Sequence, residues 1–287
     1  MRLIVGTILI LVCVFGGYSA MGGHLEVLWQ PFEAVIILGA AMGAFVIGNT
    51  GPVLKQSLKV FGTLLKGPKY NKAAYVELLG LQFSIFKLIQ SKGVLALEPH
   101  IENPEGSSIF TQFPTFMKDH HAVEFMCDYL RMVTLGTRVV HEMEALMDEE
   151  LETHHQEQER LVSAIQGLAD GTPALGIVAA VLGVIKTMGS ISEPPEVLGH
   201  MIGGALVGTF LGVFVAYGFF GPMAQSLKNT FEAESKYLLS IKIGLLAHMS
   251  GNAPSIAIEF ARKSLMSEVR PTFAEIEEAT ANLPAPA

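Results

Sequence analysis

Charge is what this sequence has least of. Asp, Glu, Lys and Arg make up only 16% of its 287 residues, against about 25% in an ordinary soluble domain. That shortage, together with four long apolar runs, excludes both a soluble globular domain and a disordered chain. Cysteine is almost missing. Cys13 and Cys127 are the only two, which rules out a disulfide framework and a zinc-ligand spacing. A basic excess is missing as well: the net charge is −8, so no nucleic-acid partner is expected. There is no Gly-rich phosphate loop, nucleophile elbow or zinc-protease motif. Neither an enzyme nor a cofactor is expected.

What is present is membrane-like. The apolar runs are Leu3 to Ala20, Ala34 to Gly48, Pro173 to Gly189 and Met201 to Met223. A cleaved signal peptide is the rival reading of the first, because Arg2 precedes it and small residues close it. The run is long for that role, and the second run follows too closely. Trp29, the only tryptophan, sits with Pro31 and Phe32 before the second run, where the membrane–water interface suits it. Lys186 interrupts the third run near its outer end and can snorkel to the headgroups.

Lysine and arginine set the orientation. Of 19, eleven lie between residues 51 and 171 and six after residue 222, with Arg2 and Lys186 the others. The connectors 21–33 and 190–200 hold none. The sequence therefore predicts a multi-pass membrane protein with both termini and the long middle segment in the cytoplasm. Four parts follow: 1–50 with spans one and two, 51–171 as a helical cytoplasmic domain, 172–223 with spans three and four, and 224–287 as cytoplasmic helices and tail.

The cytoplasmic part reads as helix throughout, which makes the fold class all-α. Leu78, Leu81, Ile85, Leu88 and Ile89 recur at helical spacing within 73–97, and Gly93 interrupts or bends that helix. The stretch 121–166 is helical in pattern, and Pro99 to Pro114 is rich in turns. A short helix follows Pro254, and Pro271 with the Pro-Ala-Pro ending predicts a loose terminus.

Each chemical candidate has a plain alternative. Glu152 and His155 form one Glu-x-x-His, which builds di-iron sites only in pairs; a solvated helix face explains it. Gly204, Gly208, Gly212 and Ala216 recur every four residues in span four, and Gly176, Ala180 and Gly183 do similar work in span three. Such ridges admit another helix backbone. They serve either packing of the two spans on each other or a groove for a helix from another chain. No Asp or Glu lies in the span cores, and Glu33 stands at the outer edge of span two. A proton pathway would then need an acid from elsewhere. Thr209 is the polar side chain best placed in span four, to line a hydrated path or to bond back to its own helix. Proline opening a helix is ordinary, and Pro173 stands before span three in that way. Pro222 near the end of span four is placed to kink it.

Together these segments resemble the MotA family, the stator subunits of the bacterial flagellar motor. Gly176-Ile177-Val178-Ala179-Ala180-Val181-Leu182-Gly183, Val207-Gly208-Thr209-Phe210-Leu211-Gly212 and Ala216-Tyr217-Gly218-Phe219 carry the resemblance. So do Ile101-Glu102-Asn103-Pro104, Glu144-Ala145-Leu146-Met147-Asp148-Glu149-Glu150 and Ile258-Glu259-Phe260-Ala261-Arg262-Lys263.

The resemblance implies an inner-membrane, homo-oligomeric ring, a pentamer, around helices of MotB, which supplies the proton-binding Asp and a peptidoglycan anchor. It implies that the ring pushes on the rotor protein FliG. Gly176, Gly183, Gly204, Gly208, Gly212 and Ala216 would seat the MotB helices. Thr209, Ala180, Pro173, Pro222 and Tyr217 would serve the ion pathway and coupling. Ala180 stands where sodium-driven relatives have a second threonine, which favours protons. Glu98 matches the acidic member of the rotor-facing pair. Gln90 stands where the family usually has Arg. Lys92 points about 200° away on a helix, so Lys87, one turn before, is the better substitute. Glu150 is a further rotor candidate. The rivals are an ExbB- or TolQ-like energizer of an envelope system and a passive membrane scaffold.

Overall fold

The computed structural model describes residues 2–67, 69–137 and 139–284, and the regular elements among them are all helical. The first span consists of α1 (Arg2–Leu11), a π-helical turn (Val12–Gly16) and α2 (Gly17–Ala20). The second span ends in α3 (Pro31–Gly48), with proline at the first helical position, where its missing N–H is harmless. Then come α4 (Gly51–Lys66), α5 (Lys72–Lys92), α6 (Glu98–Glu102), α7 (Pro114–Met117) and α8 (His120–Thr134). Helix α9 (Val140–Met188) is 49 residues long. It is followed by α10 (Pro195–Val215), a second π-helical turn (Ala216–Phe220) and α11 (Gly221–Met249). Helices α12 (Pro254–Lys263) and α13 (Phe273–Ala281) close the described chain. Four stretches are long and apolar enough to cross a membrane: Leu3–Ala20, Leu25–Gly48, and segments of α9 and of the α10–α11 run.

The chain divides into two compact units, one of residues 1–67 and 157–230, the other of residues 68–156 and 231–287. These boundaries differ from 50, 171 and 223, where the apolar composition changes. Helices α9 and α11 continue past the apolar segments, and α4 belongs to the first unit.

The first unit has little core of the soluble kind. Ile4, Val5, Ile8, Leu9 and Val12 of the first span are exposed, as are Ile177, Val181 and Ile185 of α9. Lipid rather than protein is the natural cover for such surface. Burial is confined to stripes, such as Ile37, Ala41 and Phe45 at four-residue spacing on α3. Helix α10 packs against α3. Phe15 of the first π turn meets Phe214 of α10 edge-on, ring centroids 5.5 Å apart.

The second unit is built around α5. Leu78, Leu79, Leu81, Ile85, Phe86 and Leu88 are all at most 1% exposed, so this helix is enclosed on most of its circumference. It packs against α7, α12 and α13. Tyr237 of α11 lies flat on Tyr70, centroids 3.7 Å apart. Gln82 donates from Nε2 to the carbonyls of Ser240 and Ile241, at 3.2 and 3.1 Å. Asp119 caps α8 by accepting from the Ala122 amide. It also receives Lys69 at 2.8 Å and the Tyr70 hydroxyl. Burial works to raise the Asp119 carboxyl, but those two donors and the Lys69 charge outweigh it and hold it below the usual aspartate range.

Several boundaries depart from the sequence expectation. The stretch 121–166 is two helices, because the chain breaks between Thr134 and Val140 with Gly136 at φ +100°, a conformation glycine adopts at little cost. The terminus after Pro271 is not loose up to Ala281. Thr272 accepts from the Glu275 amide and the Glu275 carboxylate accepts from the Thr272 amide, a reciprocal cap that starts α13. Ala285 and Pro286 of the Pro-Ala-Pro ending lie outside the described residues.

Candidate functional site

The small residues of spans three and four face each other within the chain. A Cβ placed on Gly176 would lie 2.9 Å from the Gly208 carbonyl oxygen and 3.0 Å from the Gly212 Cα. One placed on Gly212 would lie 2.8 Å from the Gly176 Cα and 3.0 Å from the Thr172 oxygen. These contacts are backbone on backbone, so no side chain can turn aside to make room. A Cβ placed on Gly183 would lie 2.6 Å from the Ala205 Cβ. A Cβ placed on Gly208 would lie 3.1 Å from the Ala179 Cβ and 3.2 Å from the Ala180 amide nitrogen. A Cβ placed on Gly204 would lie 3.1 Å from Nε2 of Gln30.

Within this chain the glycine ridge packs the two spans on each other, the first of the two roles its spacing allows. Gly176, Gly183, Gly208 and Gly212 are spent on the α9–α10 contact, Gly204 on the start of the second span, and Ala216 is fully buried. Spacing shows that a helix approaches closely; it does not say whose helix.

Ala180 and Thr209 lie beside this seam and are both half-buried. Thr172 and Thr187 donate back to Leu168 and Gly183, one turn earlier. Thr209 makes no such bond among the described residues, which leaves its hydroxyl available to water or to a partner group. Tyr217 is 68% exposed.

The two prolines occupy different settings. Pro173 does not open a helix: it stands inside α9, thirty-three residues after Val140. It has no N–H to offer the carbonyl four residues back. Pro222 is the second residue of α11, directly after the π turn. There the Gly221 amide bonds to the Ala216 carbonyl five residues back. The wider turn makes room for the proline ring, which would clash with a regular α-helical turn.

By sequence Glu33 stands at the outer edge of span two, yet the fold turns it inward. Its Oε2 would be 3.0 Å from a Cβ on Gly208, and its Oε1 3.7 Å from one on Gly183. The Oε2 atom is buried and has no hydrogen-bond partner among the described residues. The signal was there in part: Glu33 falls in the first turn of α3, but only the packing of α10 on α3 reveals its depth.

The rotor-facing candidates all belong to the second unit. Lys87, Gln90 and Lys92 are exposed on the last turns of α5, and Glu98 is exposed at the first position of α6. Gly93, at φ +84°, ends α5 between them. The Lys87 ammonium lies 5.7 Å from the Phe83 ring centre. Glu150 differs from the others: it accepts a 2.6 Å hydrogen bond from Tyr129, so its carboxylate is held within its own unit. Burial and that carboxylate push the Tyr129 phenol up. Among the described residues no three metal-ligating side chains come together.

Two family models match this chain. The motility protein A N-terminal model covers residues 4–93, and the MotA/TolQ/ExbB proton channel family model covers residues 118–239. The chain is 44% identical to motility protein A of Escherichia coli K12 over 97% of its length and 94% of that protein. It is 35% identical to the chemotaxis protein LafT of Vibrio parahaemolyticus, over 97% and 98% of the two chains. Among solved structures, the flagellar MotAB stator complex of Bacillus subtilis matches with a TM-score of 0.74 and 26% identity, over 96% of this chain and 98% of that one. The C. jejuni MotAB structure matches in fold with a TM-score of 0.77 at 20% identity, over 93% and 96%.

Proposed function

Since the chain belongs to the motility protein A family, we propose that it is the stator subunit of a bacterial flagellar motor, conducting protons together with a MotB-type partner. The role is non-enzymatic: ion flow across the inner membrane is converted into torque. The observation that carries the reading is that α9 and α10 bring no carboxylate of their own to the seam between them. From Pro173 to Ile185 and from Val197 to Val215 there is no Asp, Glu, Lys or Arg. The one carboxylate that meets the seam, Glu33, comes from the outer end of α3, so α9 and α10 themselves give a proton no acidic group on which to rest. A carboxylate brought by the partner supplies that group, and the unpaired Thr209 hydroxyl is the polar atom beside which it would work.

The rest of the proposal follows from that arrangement. Several copies, five in the ring we propose, surround the partner helices, with both termini and the unit carrying Lys87, Gln90, Lys92 and Glu98 in the cytoplasm. The partner helices are seated on faces of spans three and four other than the glycine seam. Protonation removes the charge of the partner carboxylate, so its cost of burial falls and its preferred packing changes. Pro173 leaves a gap in the hydrogen-bond ladder of α9 and Pro222 follows the π turn of the α10–α11 run, and these sites carry that change along the chain. Lys87 and Glu98 present charges to the rotor protein FliG.

The test is proton flux into vesicles of the reconstituted chain, with and without its partner. Flux is expected only with both. It should fall at least tenfold when the partner's intramembrane Asp is replaced by Asn. Flux through the chain alone would overturn the proposal.

A further inference from the structure

Helix α4 plays no part in the function proposed above. It begins two residues after the second span ends. Asn49 and Thr50 are both extended, and two residues reach no more than about 7 Å. Asn49 closes the span by donating to the Phe45 carbonyl at 2.8 Å. Helix α4 therefore starts at the membrane surface.

Its sequence, Gly51–Lys66, has three lysines and no acidic residue. Its faces are distinct. Val53, Val60 and Leu64 are buried in the first unit. Lys55 and Lys59, one turn apart, are exposed. Leu58 is 83% exposed and Leu65 51%, and they share a stripe about 90° round the helix from the lysines. Large leucines beside lysines are badly placed in water and well placed at the boundary of headgroups and acyl chains.

We propose that α4 docks on anionic phospholipid, with Lys55 and Lys59 on the lipid phosphates and Leu58 and Leu65 in the acyl boundary. An acidic protein face would match the lysines but leave the leucines uncovered. A second copy of a chain of net charge −8 supplies no ordered apolar layer under a layer of anions. The bilayer supplies both, at the depth where α4 begins. Assignment to the cytoplasmic leaflet rests on the orientation proposed above; the contact with lipid phosphate does not.

The test uses the full chain purified with its partner in neutral detergent. Thermal midpoints are compared with added phosphatidylglycerol, phosphatidylcholine or soluble glycerol phosphate. Phosphatidylglycerol is expected to raise the midpoint by about 3 °C more than phosphatidylcholine, and glycerol phosphate to do nothing. The Lys55→Gln/Lys59→Gln pair should lose at least half of that shift, and so should Leu58→Ser/Leu65→Ser, while Lys55→Arg/Lys59→Arg keeps it. Each shift is read against the same variant without lipid, so a change in intrinsic stability does not mask it. Equal responses to the two lipids, a full response in the Gln pair, or protection by glycerol phosphate alone would each overturn the proposal. A topology opposite to the one proposed would move α4 to the other leaflet without abolishing the phosphatidylglycerol effect.

Discussion

At the residue scale the strongest constraint is a missing atom. Adding one methyl at Gly212 puts a carbon 2.8 Å from the Gly176 Cα, and the helices must part to admit it. Gly212→Ala is expected to destabilise the first unit by about 1–3 kcal/mol. Gly199→Ala, whose Cβ meets nothing within 4 Å, should leave the thermal midpoint unchanged or raise it. If both variants melt alike, the seam is not closely packed. Glu33→Gln keeps the shape of the side chain and removes its capacity for charge. If the buried Oε2 carries protons, the variant should slow swimming while leaving protein level and assembly intact.

Asp119 offers a pH test. Its folded pKa is depressed, so its contribution is complete above the unfolded value and is lost as pH falls through the folded one. Asp119→Asn retains a capping side chain but gives up the charge-assisted bonds from Lys69 and Tyr70. A loss of about 1–3 kcal/mol at pH 7 is expected. The gap between wild type and variant should close as the pH drops below about 4. A gap unchanged at pH 3 would show that the carboxylate charge is not what stabilises the site.

At the element scale, much was legible. The apolar runs gave the spans, and the leucine spacing with Gly93 gave α5 and its end. What was hidden has physical reasons. The break at Gly136 has no proline to announce it and lies between two good helical patterns. Helix α13 stood behind Pro271, although Thr272 and Glu275 carry the spacing of a reciprocal cap. The π turns depend on hydrogen bonds five residues back, which no apolar period reports. Proline inside α9 costs about 3 kcal/mol relative to alanine in a helix interior, less whatever the surroundings recover. Pro173→Ala is therefore expected to raise the thermal midpoint and at the same time to lower motility, because it removes the break in the hydrogen-bond ladder. A stabilised variant with normal swimming would make that proline a structural accident.

At the scale of the whole molecule, the class of protein was legible in the sequence, but not how the chain uses its own glycines. The same four-residue spacing serves a neighbour in the chain or a neighbour in the membrane, and only coordinates separate the two. The coupling ion belongs to this scale as well. Ala180 offers no hydroxyl oxygen to a dehydrated sodium ion, so swimming should stop with a protonophore and persist when sodium is withdrawn. Dependence on sodium would refute the reading.

The seam between Gly176 and Gly212 bears on how such a machine is able to move. Two rods fused along their length cannot slide past each other; they tilt as a single plank. Whatever stroke the motor makes must then be taken up at the hinges beyond the plank's ends and along its outer edges. A covalent clamp across the seam should leave rotation untouched, while a clamp between adjacent planks should arrest it.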